Sequence, residues 1–192
     1  MARGSTMRRR SGVTIIELVI VMIIIGIVAA IALPKLRVER AQVDGAVRTM
    51  SMAFMVAQRD AVSRGHNVLI VFDTVNHTVR TVWDANNNLR IDAGEHTRPF
   101  EIPERVVWGR GSGVPAYGTA TAVVPTLRTV NGLPMIVVQR NGGTDRATTI
   151  YLTSPRARAG VGTDKDTRAL LLARATARPV WYVYTASGWR RN

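Results

Sequence analysis

The sequence predicts an α+β fold in which a long N-terminal helix, membranous in its first half and amphipathic in its second, packs on an antiparallel β-sheet. Three observations predict it. An unbroken apolar run with a single charge extends from Val13 to Leu33. A helical stripe of apolar residues continues beyond it and stops at Gly65. From Asn67 onward the pattern changes to that of strands separated by turns.

The apolar run comprises 21 residues, about 31 Å as a helix, which matches the hydrocarbon core of a bilayer. Its only charge is Glu17, and a carboxylate inside a bilayer costs roughly 2.5–3.5 kcal/mol on insertion scales. Glu17 therefore requires a purpose beyond anchoring. The run is longer than the apolar core of a removable secretory signal, and the small pair Ala29-Ala30 lies inside it rather than after it. Arg8-Arg9-Arg10 precede it, so the positive-inside rule places the N-terminus in the cytoplasm and the remainder across the cytoplasmic membrane.

Leu36, Val43, Val47, Met50, Phe54, Ala57 and Ala61 then recur at spacings of three, four and seven, drawing one apolar face. Gly65 stands where a left-handed C-cap ends the helix. Met50, Met52 and Met55 read as packing residues. Val68–Phe72 and Val79–Trp83 flank a turn-rich connection and read as a hairpin. Further strands are predicted at His96–Ile102, Val106–Trp108, Pro134–Gln139, Thr148–Thr153, Arg168–Thr176 and Val180–Thr185. The glycine-rich loop Gly109–Gly118 reads as exposed and mobile.

The formal net charge is +13, from 26 basic and 13 acidic residues. Its distribution is uneven: residues 67–127 hold five basic and six acidic residues, whereas 128–192 hold eleven and three. A basic C-terminal third suits an anionic partner such as nucleic acid or lipid headgroups; the plainer reading is an ordinary solvated surface. The chain has no cysteine, which excludes disulfides, thiolate metal sites and cysteine nucleophiles. His66, His77 and His96 show no metal-ligand spacing, and no phosphate loop or nucleophile elbow is present. The sequence reads as no enzyme.

The junction Arg8-Arg9-Arg10-Ser11-Gly12, followed at once by Val13-Thr14-Ile15-Ile16-Glu17, resembles the leader and N-terminal helix of type IV pilins and pseudopilins. The helix end Ala57–Gly65, the hairpin after it and the loop Trp83-Asp84-Ala85-Asn86-Asn87-Asn88 are similar to the GspH/FimT family of minor pseudopilins and minor pilins. The resemblance implies a leader at 1–12, a transmembrane segment at 13–33, an amphipathic helical half at 34–65 and an extracytoplasmic β-rich domain at 66–192. It implies that a prepilin peptidase cuts between Gly12 and Val13 and that the amine of Val13, which stands where pilins usually have phenylalanine, is methylated. Glu17 then faces the N-terminal amine of a neighbouring subunit, which neutralises two charges that are costly in hydrocarbon. The implied partners are other pilins or pseudopilins, the peptidase, membrane lipid and the inner-membrane assembly platform of a type IV pilus or a type II secretion system.

Two further sites follow from the residues. Asp84, Asn86, Asn88, Asp92 and Glu95 fall at relative positions one, three, five, nine and twelve of an EF-hand-like loop, a spacing at which oxygen donors wrap a calcium ion. Leu89 occupies the glycine position of such a loop, and the competing reading is a hairpin loop in which asparagines bond their own backbone. The alternative function is that of a DNA receptor in a competence pilus. Some FimT-like proteins bind DNA through a glycine-arginine-x-arginine motif, of which Arg178 and, separately, Arg190-Arg191 keep parts. With Arg156 and Arg158, and with Trp181, Tyr182, Tyr184 and Trp189 nearby in sequence, these arginines suit a basic, aromatic-edged groove; the competing reading makes the aromatics core and the arginines a solvated face.

Overall fold

The computed structural model describes residues 14–117, 128–161 and 166–192, without the side chains of residues 31–37. Helix α1 runs Ile15–Arg64. The chain forms two compact units, Met1–Val38 and Glu39–Asn192.

In the first unit Thr14 caps the start of the helix. The hydroxyl of Thr14 accepts from the backbone N–H of Glu17 at 3.3 Å, and Leu18 N–H donates to Thr14 C=O. From Ile15 to Val28 the large apolar side chains are 47–86% exposed, so this unit supplies no cover for them. Among the described residues no helix is long and apolar enough to cross a membrane. The segment expected to span it, 13–33, reaches beyond the described side chains at both ends.

In the second unit α1 continues to Arg64 and ends as expected, with Gly65 at φ +70° and its N–H on Ala61 C=O. Strands follow as β1 (Asn67–Asp73), β2 (Thr78–Asp84), β3 (Thr97–Glu101), β4 (Val107–Trp108), β5 (Thr129–Val130), β6 (Leu133–Val138) and β7 (Thr148–Thr153). After the short helix α2 (Pro155–Arg158) come β8 (Arg168–Leu172), β9 (Pro179–Thr185) and β10 (Gly188–Arg191). The single expected sheet is two: β3-β2-β1-β6-β5 and β10-β9-β8-β7-β4, with every pairing antiparallel. Between β6 and β7 the chain turns through Asn141-Gly142-Gly143, where Gly142 takes φ +84° and Gly143 lies against Arg174 C=O. Gln58 of α1 donates to Gly142 C=O and to Thr176 C=O, fastening the β6–β7 and β8–β9 turns to the helix.

One core joins the helix to both sheets. Val43, Val47, Met50, Phe54, Ala57 and Ala61 pack with Ile70 and Ile136 of the first sheet and Ile150 and Leu170 of the second. These helix positions are the predicted stripe from Val43 onward; Leu36 lies outside the described side chains. Met52 and Met55, expected to pack, are instead about half exposed, because they project from the opposite side of the helix. A second core fills the other face of the first sheet. Leu69, Val71, Val82, Met135 and Val137 are covered there by Leu89 and Ile91 of the β2–β3 loop. The central strand β1 is thus buried on both faces, which explains its continuous apolar run.

At the helix end, Arg64 sits 3.6 Å above the ring of Trp83, His96 stacks against that ring, and the indole N–H donates to buried Asp60. The loop expected to be exposed from Gly109 is exposed only in part where described: Ser112, Gly113, Pro115 and Ala116 are exposed, whereas Gly109, Gly111 and Val114 are buried. Gly111 donates to Thr167 Oγ1, and a Cβ there would stand 2.8 Å from that oxygen, so glycine at this position serves close approach. Two short strands, β5 and β10, were not predicted, and β8 stops at Leu172 instead of Thr176 because residues 173–177 form a turn closed by Ala177 at φ +48°.

Candidate functional sites

Gly12 and Val13 lie outside the described residues. Glu17 is in the first turn of α1 and exposed, where its negative charge complements the positive end of the helix dipole. Thr14, its capping partner, was overlooked in the sequence. The Thr-x-x-Glu spacing before an apolar run is the signal that reveals it.

The loop from Asp84 to Glu95 brings all five candidate ligands together. Asp84, at the end of β2, is fully buried, and its two carboxylate oxygens accept from the N–H groups of Asn88 at 2.8 Å and Leu89 at 2.9 Å. Asn86 Oδ1 also accepts from Asn88 N–H. The side-chain amides of Asn86 and Asn88 both donate to Asp92, at 2.8 and 2.7 Å. These bonds, that from Asn86 first, hold the Asp92 carboxyl below its ordinary value. Glu95 accepts from the N–H groups of Ala85 and Asp92. Each carboxylate is thus engaged by donors of the same loop. Asn87 and Leu89 take φ values of +56° and +61°, so Leu89 adopts the left-handed conformation that glycine adopts most readily. Its packing on the second core and the grip of Asp84 on its N–H hold that conformation. Among the described residues no group of three or more His, Cys, Asp or Glu side chains is placed to hold a metal ion.

The candidate arginines fall in separate places. Arg156 and Arg158 are exposed on α2, whose N-cap Ser154 accepts from Ala157 N–H and whose first residue is proline. Arg158 donates to Arg110 C=O at 3.0 Å. Arg178 is exposed in the β8–β9 turn, at the other end of β9 from the residues near α2. Arg190 and Arg191 point to opposite faces of β10: Arg191 pairs with Tyr182, Arg190 with Val183.

The aromatics divide as well. Trp181 packs on the core beneath the helix. Tyr182, Tyr184 and Trp189 lie on the opposite face of the second sheet and gather with Tyr117 and Tyr151. Ring centroids are 4.3 Å apart for Tyr117–Tyr182, 5.3 Å for Tyr184–Trp189 and 6.0 Å for Tyr151–Trp189. Tyr151 exchanges hydrogen bonds with the backbone N–H and C=O of Tyr117, and the Trp189 indole donates to Pro115 C=O. A hydrogen bond with Tyr182 raises the Tyr117 phenol above its ordinary pKa, while burial raises that of Tyr151. The Arg110 guanidinium lies 5.7 Å from the Tyr151 ring. Arg110 and Tyr117, which join this cluster, were missed because only topology brings residues 110–117 over the second sheet.

Residues 7–33 match the prokaryotic N-terminal methylation motif. This match supports a type IV pilin-like prepilin. Such a motif implies processing by a prepilin peptidase, assembly with other pilins and anchoring in a membrane, and it points to a structural subunit rather than an enzyme. Comparison with curated proteins and with solved structures returns no match.

Proposed function

We propose that this chain is a minor pilin or pseudopilin of the GspH/FimT kind, cut after Gly12, methylated at Val13, anchored by residues 13–33 and incorporated into a filament through Glu17. The methylation motif carries the reading, because it couples a cleavage junction to an apolar helix bearing one carboxylate near its start. The α+β domain that follows supports it, since one amphipathic helix capped by Gly65 organises both sheets. The filament is a type IV pilus or a type II secretion pseudopilus. The decisive test is the N-terminus of protein purified from membranes: sequencing and mass should give a methylated Val13. A mature chain that begins at Met1, or after Ala30, is incompatible with this reading.

The second reading is a DNA receptor. Its supporting observation is that Arg110 and Arg191 border the aromatic cluster on the outer face of the second sheet, an arrangement suited to phosphates and exposed bases.

A further inference from the structure

The helix stretch Glu39–Arg64 has two unlike sides. One is the core stripe. On the other stand Arg48, Met52, Met55, Arg59 and Val62, all exposed. At 100° per residue these five positions fall within one sector roughly opposite Met50, the centre of the buried face. Met52, Met55 and Val62 are 49–56% exposed, so the surface is apolar between its charges.

The charges are all of one sign. The stretch contains three acids, Glu39, Asp44 and Asp60. Asp44 is committed to Arg168, Asp60 is buried and accepts from Trp83, and Glu39 is half-buried with one oxygen sealed from solvent. Arg48 and Arg59 are in no ion pair among the described residues. They stand eleven residues apart, about 16 Å along the axis and on nearly the same meridian. Two copies brought together on this face would set guanidinium against guanidinium across an apolar seam, a juxtaposition that opposes docking.

We infer that this helix face docks a different subunit, whose helix presents apolar residues flanked by carboxylates, and that it rejects a second copy of this chain. The inference rests on the filament reading and deepens it: charge complementarity makes the chain a junction between unlike subunits and not a repeating unit. Arg48 and Arg59 supply selectivity, and Met52 and Met55 supply the buried area, with unbranched side chains that adapt to the opposing surface.

The chain lacks cysteine, so Met55→Cys in the full-length protein gives one reporter thiol for cross-linking in cells that assemble the filament, using a short bifunctional thiol–amine reagent and, separately, disulfide oxidation. The expected result has three parts. Oxidised Met55→Cys yields no disulfide dimer of this chain. The bifunctional reagent yields an adduct with another filament subunit, and the cross-linked peptide carries Asp or Glu within one helical turn of the attachment point. Adding Arg48→Glu and Arg59→Glu lowers that adduct about tenfold or more, while co-expression of the reversed variant with the unreversed one, both carrying Met55→Cys, produces the missing disulfide dimer. Efficient dimerisation of unreversed copies, an adduct that survives charge reversal, or no protein adduct at all overturns the inference. The N-terminus of the same samples separates the two failures: chains that begin at methylated Val13 yet dimerise refute the docking inference alone, whereas uncut chains refute the filament reading.

Discussion

Arg168 and Asp44, 124 residues apart in sequence, meet at 2.6 Å. The guanidinium is almost wholly buried on β8, while the carboxylate on α1 retains partial contact with water. Thr167 C=O also accepts from Arg168. The pair fixes where along its length the helix lies on the second sheet, a matter on which apolar packing alone is permissive.

Removing the carboxylate should therefore cost more than a surface pair does. Asp44→Ala is expected to destabilise the folded domain by about 2–4 kcal/mol, since it removes a carboxylate that pairs with a buried guanidinium. Asp44→Asn should cost less, because the amide oxygen still accepts. Chemical denaturation followed by tryptophan fluorescence measures both, and a loss under about 0.5 kcal/mol for the alanine variant would show that the pair is incidental.

Glu17 should be dispensable for membrane insertion and required for filament incorporation. Glu17→Ala is expected to fractionate with membranes at the level of the parent chain and to be absent from sheared filaments. Equal recovery of both in filaments would mean that no other subunit's amine depends on this carboxylate.

The Asp84–Glu95 loop should loosen at low pH. The Asp92 pKa is lowered in the fold, so its contribution is present above the ordinary carboxylate value of about 4 and is lost as the pH falls through the lower folded value. Protection of the Asn88 and Leu89 amides, measured against the intrinsic exchange rate at each pH, should fall as the medium is acidified below about pH 4. In Asp92→Asn that acid sensitivity should diminish. Asp84→Ala should disorder the loop at every pH, as the N–H groups of Asn88 and Leu89 lose their acceptor.

If the outer face of the second sheet binds DNA, the arginines should contribute unequally. Arg191→Ala and Arg110→Ala should weaken retardation in a mobility-shift titration and flatten its salt dependence by about one phosphate contact each. Arg178→Ala and Arg190→Ala should have little effect, being at the far end of β9 and on the opposite face of β10. Absence of any shift at low salt removes the DNA reading.

The features visible in the sequence were those carried by local periodicity and capping. Val43 to Ala61 announced the buried helix face, Gly65 its end, and Val68–Phe72 with Val79–Trp83 a hairpin, because each pattern depends on residues close in sequence. The division into two sheets was not visible, since it depends on which edges pair across long separations. Met52 and Met55 misled because methionine is at home in cores and on contact surfaces alike, and only the helix phase decides. The spacing of Asp84 to Glu95 correctly gathered five oxygen-bearing residues into one loop. Their hydrogen bonds to one another, and the role of Leu89 as a cover, required the fold. The arginines of the last third were grouped by proximity in the chain, whereas the alternation of β10 sends Arg190 and Arg191 to opposite sides.

The cover that Leu89 and Ile91 place over the first sheet has a consequence for the damaged protein. Val68-Leu69-Ile70-Val71-Phe72 is a five-residue stretch of high strand propensity without charge, the composition that stacks into intermolecular cross-β structure once it is accessible. The helix shields one side of it and the Asp84–Glu95 loop the other. Closure of a polar, asparagine-rich loop thus doubles as a safeguard against self-aggregation, and a protease that nicked the loop would release a chain prone to precipitate rather than one merely short of a surface feature.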